Sequence, residues 1–305
     1  EEADGALYWA AADGTVGGVD DTGRPRWQVQ SRNAPNENSM PVVSGNRVYF
    51  SGSAEFLQIN AATGSVIERQ ELSGDRAHVF GRTVTPLPSG YAYPTNESVE
   101  LVGSDGAVRS VSIPEGSTMS AVLHDGLLYL ADNRGTLIGV DVAAAEVTRE
   151  IPTDAVQPVA HAPVVWNDTA YFSGRRGTFV AVDLAGARTA WTYDLGEGVF
   201  HCPTASAEGI YVFAGETLFA LGHDGSELFA PQGDAAGPAA TANGEIAYPT
   251  TDGALRILNA RTGAELVRYE LPEVARARPV YRDNQIFLAT TGGRIVALHR
   301  EGLGR

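Results

Sequence analysis

Short apolar and aromatic runs recur along the whole chain, and a turn signal closes each one. Eight of the runs align: Gly5-Ala6-Leu7-Tyr8, Asn46-Arg47-Val48-Tyr49, Gly90-Tyr91-Ala92-Tyr93, Gly126-Leu127-Leu128-Tyr129, Asp168-Thr169-Ala170-Tyr171, Gly209-Ile210-Tyr211-Val212, Gly244-Glu245-Ile246-Ala247 and Asn284-Gln285-Ile286-Phe287. They recur roughly every 40 residues, a period that belongs to propeller blades. Their length and their apolar-small alternation predict strands rather than helices.

Each run is followed by a tight turn, as at Ala12-Asp13-Gly14-Thr15, Asn133-Arg134-Gly135-Thr136 and Thr251-Asp252-Gly253-Ala254. Glycine stands where a hairpin demands positive φ. A second alternating strand follows, such as Phe179-Val180-Ala181-Val182-Asp183. It ends in an Asx- and Gly-rich turn, as at Asp20-Asp21-Thr22-Gly23 or Asn259-Ala260-Arg261-Thr262-Gly263. Asp and Asn there bond their own downstream amides. A third strand, such as Arg26-Trp27-Gln28-Val29 or Ala190-Trp191-Thr192-Tyr193, completes the excursion. A small or Pro-containing strand then opens the next unit, as at Ala162-Pro163-Val164-Val165 or Arg278-Pro279-Val280-Tyr281.

One such sheet cannot bury both faces alone, so the units are expected to pack face to face around an axis. The pattern predicts an all-β fold, a β-propeller of four-stranded antiparallel blades. Eight blades are favoured, with seven as the alternative. The first unit starts at its second strand on this reading, and the last ends near Arg300. Small residues fit the crowded centre, and Tyr49, Tyr129, Tyr171 and Tyr211 fit between blades.

The apolar-Tyr strand, the turn, Ala-x-Asp-x-x-x-Gly and then Trp resemble the PQQ-like repeat of quinoprotein propellers. The resemblance covers essentially all of 1–305 and implies a single propeller domain. Gly23 to Trp27 and Gly186 to Trp191 come closest to the family's turn-then-Trp element. Glu68, Ser110, Phe229 and Val267 stand near the Trp position in other units, which weakens the family's Trp docking girdle. Quinoprotein dehydrogenases of this family hold PQQ with a stacking Trp, acidic and Asn ligands to calcium, and often a vicinal cysteine pair. Cys202 is the lone cysteine, so no pair exists here, and no matching Asp-Glu-Asn set can be placed. No cofactor is therefore expected.

Charge narrows the partners. The net charge is −15, and all 22 basic residues are arginine. Such a surface does not suit nucleic acid or adhesion to an anionic membrane. No apolar run is long enough to span a bilayer, so no direct insertion is expected. The chain opens on Glu1-Glu2 without Met, which suggests a processed product. Lysine-free composition reads first as a coding bias and second as selective anion recognition.

Nucleophile-elbow, phosphate-loop and His-Glu-x-x-His patterns do not occur. The register does bring one set of polar residues together. Positions leading into the first strand of each blade should converge at one mouth of the central channel. They include Asn38, Ser39, Arg82, Thr83, Thr118, His161, His201, Cys202, Arg276 and Arg278. Three arginines there suit a carboxylate or phosphate. His161 and His201 precede Pro by two residues in equivalent places, so they are expected as neighbours. No carboxylate completes a metal set, and no metal is expected. The bland alternative is that these side chains solvate the channel and satisfy backbone groups. Asn38, Arg82, His161, His201, Arg276 and Arg278 are the candidate ligand-binding residues, and no catalytic residue is assigned.

Stand-alone propellers of this repeat without cofactor residues resemble the lipoprotein of the bacterial outer-membrane assembly machine. That implies a non-catalytic, extracytoplasmic scaffold holding protein partners through loops on one face. Two alternatives stand beside it. One is the ligand-sensing external domain of a bacterial receptor of the Ser/Thr kinase type, taking a small anionic ligand or peptide at the channel mouth. The other is a PQQ-dependent or other propeller enzyme using His161 and His201.

Overall fold

The computed structural model describes residues 2–3, 5–20, 22–32, 40–52, 54–72, 83–117, 119–158, 161–196, 198–199 and 201–299. These form two compact units, Glu1–Pro163 and Val164–Arg305.

The first unit holds four antiparallel four-stranded sheets. Sheet one comprises Glu2–Ala3, Ala6–Ala10, Thr15–Val19 and Pro25–Gln30. Sheet two comprises Val42–Ser44, Arg47–Ser51, Glu55–Asn60 and Val66–Glu71. Sheet three comprises Thr85–Leu87, Gly90–Pro94, Ser98–Gly103 and Val108–Ser112. Sheet four comprises Val122–His124, Leu127–Ala131, Leu137–Asp141 and Glu146–Ile151.

The second unit repeats the plan. Sheet five comprises Val164–Trp166, Thr169–Ser173, Thr178–Asp183 and Arg188–Asp194. Sheet six comprises Thr204–Ala205, Ile210–Ala214, Thr217–Leu221 and Glu227–Gln232, and sheet seven Ala240–Ala242, Glu245–Pro249, Ala254–Asn259 and Glu265–Glu270. Sheet eight comprises Val280–Arg282, Gln285–Ala289 and Ile295–His299, three strands among the described residues. Eight sheets replace the alternative count of seven. One boundary is also corrected. The chain does not begin at a second strand, because Glu2 and Ala3 pair with Leu7 and Ala6 as a first strand. A two-residue strand carries no alternation to read.

Within each unit the second and third strands supply the core. Tyr8, Tyr49, Tyr91, Tyr129, Tyr171 and Tyr211 are all buried. Four of these face a small partner across the ladder: Gly18, Gly139, Ala181 and Ala220. A large ring fits there because its neighbour is small. Sheets then pack face to face. Tyr8, Val16 and Trp27 meet Phe50, Leu57 and Ile59, and Tyr49 and Phe56 meet Val84, Tyr91 and Tyr93. In the second unit Tyr211, Phe213 and Leu218 meet Ile246, Tyr248 and Leu258.

The fourth strand locks adjacent sheets. A bulge shifts the register just after Gly18, Gln58, Gly139, Ala181 and Ile257 on third strands. The residues opposite are Trp27, Glu68, Arg149, Trp191 and Val267. A bulge re-aims a side chain, and Trp27, Glu68, Trp191 and Val267 reach the next sheet this way. Trp27 lies over Gly64 and donates its Nε1–H to the Ala61 carbonyl at 2.7 Å. Trp191 lies over Gly225 and donates to the His223 carbonyl at 2.9 Å. Phe229 covers Gly263 in the same way. A Cβ on Gly64 would fall 2.5 Å from the Trp27 side chain, so only glycine admits the ring.

A buried carboxylate adds a polar lock between sheets one and two. Glu55 accepts from Ser31 Oγ and from the Arg32 amide, each at 2.9 Å. Its other oxygen meets Arg69 at 2.7 Å. Burial alone would raise this carboxyl. The Arg32 amide, the Ser31 hydroxyl and the Arg69 guanidinium outweigh that and hold it below the ordinary carboxylate value.

Candidate functional site: the approaches to the first strands

Hydrogen bonds between neighbouring sheets fix the start of two first strands. In the first unit the Thr83 amide donates to Ser120 Oγ at 3.0 Å, and Thr85 Oγ1 donates to the Ala121 carbonyl at 2.6 Å. In the second, Thr204 Oγ1 donates to the Ala239 carbonyl at 3.0 Å. Thr85 and Thr204 open equivalent first strands, so one hydroxyl staple is used twice. Isolated bridges pair Val199 with Ala214, Ala235 with Thr250 and Ala275 with Thr290. Each ties an approach segment to the far end of its own sheet's second strand. A Cβ on Gly237 would meet the Arg276 carbonyl at 2.4 Å, so sheets seven and eight approach closely there.

The candidate residues separate on this frame. Asn38 and Arg82, with Ser39 and Thr118, lie outside the described residues. His161 belongs to the first unit and His201 to the second. Both imidazoles are half-buried and have partners. Arg276 is exposed. Arg278 is different. It is half-buried, and its Nε and Nη2 are shut from water with no acceptor among the described residues. Its guanidinium also reaches the Cys202 thiol. Burial pushes that thiol up, and Arg278 partly opposes the push. The second unit therefore brings Arg278 and Cys202 together from sheets eight and six.

A buried donor pair without an acceptor is rare, and it is costly for a charged group. A planar guanidinium with two such N–H groups is suited to a carboxylate or a phosphate. Arg276 and Arg278 stand alike in the sequence, where Tyr281 reads only as part of a first strand. The Tyr281 hydroxyl is likewise buried without a partner among the described residues, and burial pushes its pKa up. No sequence signal separates such groups from ordinary core residues.

Other turns proved to be local chemistry. Asp20 Oδ1 accepts from Thr22 Oγ1 and from the Thr22 and Arg24 amides. The Thr22 hydroxyl is the main cause of its lowered pKa.

Sheet order, repeat and strand count define an all-β, eight-bladed propeller with mostly four-stranded antiparallel blades. Many solved structures share the fold, among them the following two. The crystal structure of BamB from Moraxella catarrhalis is 15% identical, with a TM-score of 0.80, covering 100% of this chain and 94% of that one. The computationally designed Ika8 protein is 13% identical, with a TM-score of 0.79, covering 98% of this chain and 95% of that one. No curated protein sequence matches the chain. The chain belongs to the family described as "Outer membrane protein assembly factor BamB", whose profile matches residues 2–150 and 222–303.

Proposed function

We propose that this chain is a non-catalytic, extracytoplasmic scaffold of the outer-membrane-assembly type, with 1–305 acting as one propeller domain. The family match over residues 2–150 and 222–303 carries the reading. The architecture supports it, since rigid sheets present many loops and exposed loops on a fixed frame suit partner binding. Arg175 and Arg176 form one such exposed hairpin tip. An extracytoplasmic location follows from the family, whose named role is assembly of outer-membrane proteins. Partner capture tests this reading: a tagged chain should retain assembly proteins of the outer membrane.

At the approach to sheet eight, Arg278 binds an anionic group, a peptide carboxylate or a small phosphate. Arg276 assists from the exposed side, and His201 stands on the approach to sheet six. The two unpaired guanidinium N–H groups of Arg278 support this. The same observation keeps the ligand-sensing receptor domain as a second reading. Titrating acetate, phosphate and a short peptide with a free carboxylate against an Arg276→Ala, Arg278→Ala variant tests the site. At least tenfold weaker binding is expected, and unchanged affinity overturns it.

A further inference from the structure

The docking girdle is interrupted between sheets two and three. The docking position on sheet two is Glu68, opposite Gln58 at the bulge, where sheet one has Trp27 opposite Gly18. The receiving turn on sheet three is nevertheless built to take a ring. Its Gly106 amide bonds the Gly103 carbonyl at 2.9 Å, and the Ala107 amide bonds Asp105 Oδ1 at 3.0 Å. The turn that receives Trp191 is the same. There Gly225 bonds the Gly222 carbonyl at 3.0 Å, and Ser226 bonds Asp224 Oδ1 at 3.0 Å. Gly106 and Gly225 have φ of +79° and +85°. A Cβ on Gly225 would touch the Trp191 ring at 2.9 Å, whereas one on Gly106 would find nothing within 4 Å. The Ser104 carbonyl holds the turn position from which His223 accepts the Trp191 N–H.

The vacated slot is a cavity of about 510 Å³. That volume falls inside the roughly 300–1,000 Å³ typical of small-ligand pockets. Its lining includes the aromatic rings of Phe56, Tyr91 and Tyr93. Ile67 and Val108 stand at its mouth, 49% and 51% exposed. Three carboxylates, Glu68, Glu100 and Asp105, line it against one cation, Arg47. The Tyr91 hydroxyl donates to Glu68 only at 3.4–3.5 Å, a long and weak bond.

We propose that this cleft is a docking site for a partner protein that inserts an aromatic side chain, preferentially Trp, flanked by Arg or Lys. The chain's own packing specifies the aromatic group, because the same kind of slot takes Trp27, Trp191 and Phe229 elsewhere. Charge complementarity specifies the flanking cation. Trp and Arg are also the residues that anchor protein interfaces most often. The proposal deepens the scaffold reading and rests on it only for the partner being a protein.

The test uses the full chain and three capped tripeptides, Arg-Trp-Arg, Arg-Ala-Arg and Glu-Trp-Glu, with affinities measured by calorimetry. Arg-Trp-Arg should bind at least tenfold more tightly than either control. Glu68→Trp fills the slot from within. It should remove binding at least tenfold and place the added indole in an apolar site, seen as blue-shifted emission. Val108→Arg, a surface change that adds a cation at the mouth, should weaken binding several-fold and serves if Glu68→Trp does not fold. Equal binding of the Trp and Ala peptides overturns the proposal, as does unchanged affinity in both variants. Failure to capture an assembly partner while Arg-Trp-Arg binding persists would strike the scaffold reading and leave the cleft standing.

Discussion

Gly64 and Gly106 offer a controlled comparison of ring docking. Both lie in left-handed turns, with φ of +73° and +79°. Alanine in that conformation costs about 1–2 kcal/mol, and this cost is common to both substitutions. The surroundings then diverge. At Gly64 the new methyl would lie 2.5 Å from Trp27 Cβ and Cγ, and the indole must retreat. Retreat strains a ring that is 9% exposed and lengthens its 2.7 Å bond to the Ala61 carbonyl. Overpacking of this kind costs about 1–3 kcal/mol, and the lost hydrogen bond about 1 kcal/mol. Gly64→Ala should therefore destabilise by roughly 3–6 kcal/mol and Gly106→Ala by only roughly 1–2 kcal/mol. Urea denaturation followed by tryptophan fluorescence measures both, with midpoints compared at matching slopes. Two variants equal to within about 0.5 kcal/mol, the scatter of ordinary surface changes, would refute the docking account.

Three further outcomes follow from packing and charge. Glu55→Gln removes a charge that is 3% exposed and paired to Arg69 at 2.7 Å, and should cost roughly 2–3 kcal/mol near neutral pH. The native carboxyl is held below its ordinary value of 4.5, so its contribution is present above that value and is lost as pH falls through the lowered one. The gap between the two proteins should therefore close in acid, and a gap constant from pH 7 to pH 3 would contradict the assignment. Alkylation of Cys202 by iodoacetamide at pH 8 should be at least tenfold slower in the folded chain than in urea, because burial disfavours the thiolate. Thr204→Val should cost about 1 kcal/mol through loss of the bond to the Ala239 carbonyl, while Thr204→Ser should cost less.

The blade plan was legible because its signals are local. Glycine turns such as Asp13-Gly14 and Asp252-Gly253, and the alternation of Phe179 to Asp183, state strand and hairpin within a few residues. Trp27, Trp191 and their absent counterparts at Glu68, Ser110 and Val267 could also be read, since the repeat supplies the alignment. Arg149 was not, because its place opposite Gly139 depends on the bulge. The Nε and Nη2 of Arg278, which lack an acceptor among the described residues, and the open slot over Gly106 were out of reach for a different reason. Each is the lack of a neighbour, and neighbours from other sheets are fixed only by tertiary packing. Of the candidate ligand residues, Arg278 alone acquired a distinctive environment, while Asn38 and Arg82 lie outside the described residues.

The central claim is that this propeller holds proteins rather than transforms substrates. A photo-crosslinking residue placed at Arg175, on an exposed loop, tests it in the cell envelope of the source organism, with mass spectrometry of the products. The account predicts a discrete adduct with a component of the outer-membrane assembly machinery. An envelope preparation in which the chain crosslinks to no such component, or is joined instead to a kinase domain, would contradict it.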